Sequence, residues 1–356
     1  MRSWILAGAG LGALVLASIA APAVARPSAG SGTAVPAACS VIANPYSQPK
    51  SLLRTCGYQV YPLRRVIGNT DGSRTYVYQV AGHAVTSVMP PRGFDALKAS
   101  NAELRRYGLP TRSMIGAGKW RQLMSHLSIP APRPFLLSYA NGPRFTFSCH
   151  TCWAGYQADK HSDYYEALGS FNEPSVHKSS CPSPQLEGVW VGLGDDKSTI
   201  GQTGTSDGTG VDHLSFFEVI GPGFNGKPIF AGRVKVGDSI TAYATYPSGE
   251  GAYTFTVMDK SKVVLDFDVT TSIYQGKLAL FVVEDPARKG GSYYLSDFGK
   301  VKFTSAKAVL VGHLQQKLGS FPHSSFIITD SKKKKMATTG SLSKGKSFTV
   351  SYQRCD

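Results

Sequence analysis

The chain has 356 residues, a formal net charge of +15 and 42% hydrophobic residues. This length allows a large core and one or two domains, and the hydrophobic content excludes a chain that is disordered throughout. The charge is uneven: residues 41–145 hold 14 Lys and Arg against 3 Asp and Glu, whereas residues 146–356 hold 22 against 20. A basic segment before a nearly neutral one predicts two units with different roles.

The first 25 residues resemble a targeting segment. "MRSW" supplies one positive charge, an apolar run rich in small residues follows, and "AVA" at 23–25 offers a cleavage site. This pattern is typical of a secretory signal peptide, and the small residues and cleavage site favour it over a retained membrane anchor. We therefore expect a secreted protein that makes no membrane contact after cleavage. Export favours disulfides among the six cysteines, whose pairing the sequence leaves open.

Residues 26–145 combine strand and helix signals after a short flexible linker. Residues 57–89 predict short strands, and a helix follows in which Ser100 is the N-cap and Glu103 completes a capping box. The stretch 128–145 contains four prolines without a clear period, which predicts a connector or a cleavable junction. The whole segment is therefore predicted to be a small α+β unit.

Residues 146–356 consist of many short strand-like runs. Several alternate apolar and polar residues with period two, and clusters of Gly, Pro, Asp and Ser separate them. This pattern predicts an antiparallel β-sandwich or barrel. One run, "LFVVEDPA" at 280–287, is apolar up to Glu284. A carboxylate there is a rim charge, half of a salt bridge or a catalytic acid, and the run alone does not decide.

Other motifs give weaker signals. No nucleic-acid-binding signature accompanies the basic half, so we expect no nucleic-acid partner. A zinc site is one hypothesis, but its residues fit no standard finger spacing, and export favours oxidised cysteines. The candidate zinc ligands are Cys149, Cys152, His161, His177 and Cys181. We therefore predict neither a metal nor a cofactor.

Seven pieces of the C-terminal half, taken together and in order, resemble the glutamic peptidases, or eqolisins. They are "CWAGYQA" at 152–158, "VWVGLG" at 189–194, "GQTGTSDG" at 201–208, "FFEV" at 216–219, "VGDSI" at 236–240, "FVVEDP" at 281–286 and "LSDFGKVKFTSA" at 295–306. The resemblance implies a sandwich of two curved antiparallel sheets, of the concanavalin or lectin-like type. It also implies an acid endopeptidase that acts on polypeptide substrates without a cofactor.

The resemblance also implies the site. Gln202 and Glu284 take the positions of the family's catalytic pair, and the cleft-lining positions fall on Trp153, Trp190 and Glu218. A carboxylate serves as general base and then general acid, while an amide donates to the oxyanion. The family's Asp after the W-V-G strand is Gly194 here, so Asp195 or Asp196 is expected to replace it in substrate binding.

Family precursors imply the division of the chain. We expect a signal peptide at 1–25, a basic inhibitory prosegment at 26–145 that neutralises the carboxylates of the cleft, and a peptidase domain at 146–356. Two alternatives remain open from the residues alone. The sandwich also suits a non-catalytic lectin-like binding module, or a cell-surface protein held to an acidic wall by its basic half.

Overall fold

Two antiparallel β-sheets stacked face to face form most of the structure, a computed structural model. It describes residues 44–140, 151–159, 163–177, 181–182, 184–195, 198–209, 211–224, 226–247, 251–274, 276–286 and 293–355. The predicted signal peptide and linker lie outside these residues. None of the described helices is long and apolar enough to cross a membrane.

The first sheet has nine strands and carries the predicted site. In spatial order they are β18 (His323–Phe326), β5 (Trp153–Ala158), β14 (Leu278–Glu284), β7 (Gln185–Gly194), β8 (Ile200–Gly208), β9 (Val211–Ile220), β10 (Ile229–Arg233), β4 (Phe135–Tyr139) and β1 (Tyr58–Gly68). Strand β14, which has a neighbour on each side, is buried along its whole length. This burial explains why its sequence is a continuous apolar run rather than an alternating one.

The second sheet continues from the end of β1. Its order after β1 is β2 (Arg74–Val80), β3 (His83–Met89), β13 (Lys262–Thr270), β12 (Ala252–Asp259), β11 (Ser239–Thr245), β6 (Tyr164–Asn172), β16 (Lys300–Leu310), β21 (Phe348–Tyr352), β20 (Lys335–Thr339) and β19 (Ile328–Thr329). Two short strands complete the set: β15 (Tyr294–Leu295) runs parallel to β7, and β17 (Gln316–Lys317) pairs with β16.

The core lies between the sheets. Strand β13 shows most simply how alternating residues build this core, because Leu265 and Phe267, two positions apart, are both buried against the facing sheet. On β14, Phe281 and Val283 enter this core, whereas Leu280 and Val282 belong to a second apolar cluster on the outer face of the first sheet. The predicted sandwich of two antiparallel sheets is confirmed.

Residues 44–140 join both sheets. Strand β1 pairs with β4 at Tyr58–Pro62 and with β2 at Leu63–Gly68, so it passes from one sheet to the other. β4 extends the first sheet beside β10, and β3 extends the second beside β13. The helices are α1 (Lys50–Thr55), α2 (Asn101–Arg106), α3 (Arg112–Ile115) and α4 (Ala117–Ser125). Since residues 36–356 form one compact unit, the predicted boundary near 145 remains a prediction.

Two local predictions for this segment compare directly with the structure. The capping box is present: the Ser100 hydroxyl accepts from the backbone N–H of Glu103, whose carboxylate accepts from the Ser100 N–H. The predicted connector at 128–145 instead contains strand β4, which is buried along its length. None of the five residues of β4 is a proline, so each has a backbone N–H that can donate a hydrogen bond to a neighbouring strand. The prolines that suggested a connector lie outside β4.

Candidate active site

The outer face of the first sheet carries both residues of the predicted pair. Glu284 ends β14 and follows Leu280 and Val282 on the same face, as the period of two requires. In the strand register it lies opposite Trp153 of β5 on one side and Gly188 of β7 on the other. Glu284 is only 2% exposed, so its carboxyl group lies inside the protein rather than at a wet rim.

Two indole groups hold Glu284. Its Oε2 accepts a hydrogen bond of 2.7 Å from Nε1 of Trp190, and the Trp153 indole lies beside it in the strand register. The two indole rings meet edge to face with centroids 5.4 Å apart. Burial raises the pKa of Glu284 to about 8, even though the two indole groups lower it. A carboxyl group with this pKa is suited to carrying a proton as well as to accepting one.

Gln202 and Glu218 form the other half of the site. They are direct cross-strand partners on β8 and β9, and Nε2 of Gln202 donates to Oε2 of Glu218 at 2.7 Å. Each is about 1% exposed, and neither the Gln202 Oε1 nor the Glu218 Oε1 has a hydrogen-bond partner. Burial raises the pKa of Glu218, and the charge of Glu284 raises it further. The two carboxyl groups therefore belong to one electrostatic site.

Glycine at position 192 lets the two halves meet. Gly192 lies beside Gln202 in the register of β7 and β8. A Cβ atom on it would stand 3.1 Å from Cβ of Gln202 and 3.3 Å from Cζ3 of Trp190. One edge of the Trp190 ring therefore reaches the Gln202 side of the site, while its Nε1 binds Glu284. Trp190 therefore contacts Glu284 through Nε1, and its Cζ3 lies near Gly192, the register partner of Gln202.

Comparison with known families decides which family this fold belongs to. A family model, the Peptidase A4 family, matches residues 151–352, more than half of the chain. The chain belongs to this family. It is a peptide hydrolase of the glutamic peptidase, or eqolisin, type, as its motifs predicted. No match was found among curated proteins.

Solved structures of glutamic peptidases are among those that the chain resembles. One is scytalido-glutamic peptidase with a transition state analog inhibitor, at 20% identity, covering 57% of this chain and 98% of that one, with a TM-score of 0.47. Another is SCP-B, a member of the eqolisin family in a complex with the tripeptide Ala-Ile-His, at 19% identity, with the same coverage and a TM-score of 0.44.

One predicted site residue of this glutamic peptidase lies elsewhere. Oδ1 of Asp195 accepts from the backbone N–H groups of Ser198 and Thr199, at 2.7 and 2.9 Å. It follows Gly194, whose register partner Leu278 begins β14, so Asp195 stands at the opposite end of that strand from Glu284. The structure therefore places Asp195 in the turn between β7 and β8, where its carboxylate closes the turn. Asp196 lies outside the described residues.

Residues 44–140 pack against the site-bearing face. Leu53 of α1 and Phe135 of β4 are buried in the same apolar cluster as Trp153 and Trp190. Sequence reasoning missed these contacts, because a leucine in a six-residue helix carries no signal of what it will cover. The described ion pairs of this segment are internal, joining Arg106 to Asp71 at 2.7 Å and Lys98 to Asp95 at 3.4 Å.

The cysteines within the described part of the chain are oxidised. Cys181 and Cys355 form a disulfide, with Cα atoms 6.0 Å apart, and Cys56 and Cys152 are also disulfide-bonded. Cys152 and Cys181 were two of the candidate zinc ligands. Because a disulfide sulfur is not a thiolate, these two residues are not available as ligands for zinc. Cys149 and His161 lie outside the described residues.

Proposed function

We propose that this glutamic peptidase is a secreted acid endopeptidase that uses Gln202 and Glu284 as its catalytic pair and is made as an inactive precursor. The observation that carries the proposal is the arrangement on one sheet face. A buried glutamate with a raised pKa is held by two indoles, and a neighbouring amide is oriented by a second glutamate. Peptide-bond hydrolysis needs both a proton-transfer group and an oxyanion donor.

Each residue has a defined step. Glu284 in its carboxylate form removes a proton from water as the water attacks the peptide carbonyl. The resulting carboxylic acid then donates a proton to the departing nitrogen. Gln202 donates one N–H to Glu218, which fixes the plane of the amide, and the second N–H stabilises the oxyanion. A donor of this kind contributes about 2.7–4 kcal/mol to the transition state, and no covalent intermediate is needed.

Burial explains how the precursor stays inactive. With a pKa of about 8, Glu284 is protonated at neutral pH and lacks the charge needed to activate water. Residues 44–140 contribute to this burial through Leu53 and Phe135 in the shared apolar cluster. Removing them would hydrate Glu284 and lower its pKa towards the ordinary value of 4.5. A general base then becomes available in acid.

If the basic segment is held by the carboxylates of the cleft, as the sequence predicts, acid should weaken the contact because it protonates those carboxylates. The raised pKa values of Glu218 and Glu284 favour the opposite effect of pH on this contact. A buried carboxyl group with a raised pKa binds its proton more tightly when the segment covers it, so acid favours the covered state. Apolar packing and the β4–β10 and β3–β13 pairings are the contacts that favour a stable cover. We therefore propose that cleavage of the junction at 141–150, rather than loss of affinity alone, activates the enzyme.

Cleavage of the chain at an engineered protease site tests this proposal. A recognition sequence for a specific protease is placed within 141–150, and the full chain is assayed on denatured casein near pH 3.5 before and after cutting. We expect activity after the cut and little before it. Gln202→Ala should reduce kcat by about 10²–10³, whereas Gln157→Ala, a glutamine on β5, should not. Equal loss in both variants would contradict the role of Gln202.

The same cut protein also allows us to measure how tightly the N-terminal segment binds to the peptidase domain. The affinity of the released segment, residues 26–145, is determined near pH 7 and near pH 3.5. Binding that is equal or tighter at the lower pH supports a cover removed by cleavage. Binding that weakens strongly in acid and in salt would instead support the charge-based contact. A cut chain without any peptidase activity would favour the alternative of a lectin-like binding module.

A further inference from the structure

A cluster of three carboxyl groups and one imidazole lies apart from the catalytic pair. Glu187 of β7, Asp207 of β8 and His213 of β9 belong to neighbouring strands of the first sheet, and Glu173 follows β6 of the second sheet. Glu187 alternates in phase with Val189, which lies in the core between the sheets. The cluster therefore lies on the inner face of the first sheet, opposite to the face that carries the proposed catalytic site.

The side chains converge on one point. Nδ1 of His213 is 2.9 Å from Oε1 of Glu173 and 2.8 Å from Oδ2 of Asp207. One ligand atom from each of these residues lies within 4.8 Å of the other two. Glu187 is the direct cross-strand partner of Asp207 and interacts with its carboxyl group. All three carboxyl groups are buried, while the His213 side chain is 22% exposed and gives access from solvent.

The cluster has too few hydrogen-bond donors for its acceptors. Nδ1 of His213 carries at most one proton, yet it stands between two carboxyl oxygens. Oδ1 of Asp207 and Oε2 of Glu173 are buried without a hydrogen-bond partner, and Glu187, whose two oxygens are also buried, faces only the Asp207 carboxyl group. Glu187 is only 1% exposed and faces into the cluster, where Asp297 adds another negative charge. Buried carboxylates require a counter-charge. A single imidazole, that of His213, faces two of them, and no Lys or Arg among the described ion pairs approaches the cluster.

We propose that Glu173, Asp207 and His213 bind a divalent transition-metal cation, with Glu187 as the fourth ligand. One imidazole nitrogen and carboxylate oxygens form a donor set that zinc accepts in tetrahedral sites. With bonds of about 2.1 Å, ligand atoms around zinc stand roughly 3.4 Å apart. The three atoms must therefore separate by roughly half an ångström, and the Nδ1 proton must leave when the cation enters.

The position of the cluster indicates the role of the cation. Glu173 belongs to the second sheet and the other three residues to the first, so the cation joins the two sheets at one end of the sandwich. A ligand that binds only the folded chain stabilises it. The cation therefore acts on the stability of the fold, and it takes no part in the cleavage of peptide bonds because it lies on the opposite face of the sheet from the proposed catalytic pair.

The full chain, stripped with a chelator, tests the proposal near pH 7 with zinc ions as the probe. Equilibrium dialysis should find one tightly bound equivalent, and thermal unfolding should move to higher temperature. Cobalt in place of zinc should give the visible absorption of a site with nitrogen and oxygen ligands. Glu187→Gln and His213→Ala should each weaken binding roughly tenfold or more, whereas His126→Ala, at an exposed histidine, should not.

The wild-type measurement is decisive by itself, because it depends on no variant that has to fold. A stripped wild-type chain that binds no tight equivalent of zinc, cobalt or manganese overturns the proposal. Wild-type affinity in a folded His213→Ala variant overturns it as well, because the bound ion would then lie elsewhere.

Discussion

Replacing Glu284 by glutamine should stabilise the full chain at neutral pH and leave its stability unchanged in acid. Glutamine has the size and hydrogen-bonding pattern of the protonated carboxyl group, so its oxygen still accepts from Trp190. Burial raises the folded-state pKa of Glu284 to about 8 from an ordinary value of 4.5. The folded chain thus binds this proton more tightly than the unfolded chain. The resulting stability is complete below about pH 4.5 and is lost as the pH rises towards 8.

The size of this effect follows from the shift. Between pH 4.5 and 7 the wild-type chain loses about 3 kcal/mol of unfolding free energy through Glu284, at about 1.4 kcal/mol for each pH unit. Glu284→Gln removes this loss, and it also removes the charge that raises the pKa of Glu218. Denaturant unfolding followed by circular dichroism, near pH 4 and near pH 7, measures the difference between the two proteins.

Asp71 provides a control in which the expected change in stability has the opposite sign. Hydrogen bonds from Ser73 lower the pKa of Asp71, so Asp71→Asn should destabilise the chain at neutral pH, and the effect should disappear in acid. Our reasoning about Glu284 is refuted if Glu284→Gln and the wild type show the same change in stability between the two pH values.

Three further predictions concern the site. Trp190→Phe removes a hydrogen bond to the Glu284 carboxylate, worth about 1.5–3 kcal/mol. The pKa of Glu284 should rise, and the acidic limb of the pH–rate profile of the cut enzyme should move to higher pH. An unmoved limb would argue against the contact. Gly192→Ala should lower activity in a folded protein because the added Cβ meets Gln202. Gly118→Ala, with no atom within 4 Å of its Cβ, should not lower it. Circular dichroism reports folding and kcat reports activity, so the two measurements distinguish a loss of structure from a loss of catalysis. The cut enzyme should keep its activity in pepstatin, in EDTA and in serine-protease inhibitors, and loss of activity in EDTA would mean that a metal takes part in the reaction.

Local patterns predicted the fold well. The alternation in β13 and the capping box at Ser100 each depend on residues a few positions apart, and both are present in the structure. The strand Phe135–Tyr139 was missed because a run of five buried residues between prolines is too short to show a period. Its partners, β1 and β10, are far away in the sequence, and this pairing is what makes it a strand.

The site was predictable only in part. Period two places Glu284 on the same face as Leu280, which the sequence indicated. The hydrogen bond between Gln202 and Glu218 depends on the register of β8 and β9, which the turn between them sets. The raised pKa of Glu284 depends on its burial. The apolar cluster that contains Trp153 and Trp190 also includes Leu53, more than two hundred positions before Glu284. No spacing rule reaches that far.

The cation cluster shows the same limit. Its residues come from four strands or strand ends, and no two of them form a recognisable motif along the chain. Only the stacking of the two sheets brings Glu173 to His213. The zinc hypothesis drawn from the sequence considered only cysteines and histidines, whereas three of the four residues of this cluster are carboxylates.

The most direct test of the catalytic pair compares three cut enzymes on denatured haemoglobin near pH 3.5: wild type, Glu284→Gln and Glu166→Gln. Glu166 is a matched control, because it is also a buried glutamate whose pKa burial raises to about 7, but it lies on β6 of the other sheet. Cutting all three at the same engineered site removes any difference in self-processing. We predict that Glu284→Gln abolishes cleavage while Glu166→Gln retains it. Cleavage by folded Glu284→Gln at the wild-type rate would contradict the assignment of Glu284 as the catalytic acid and base.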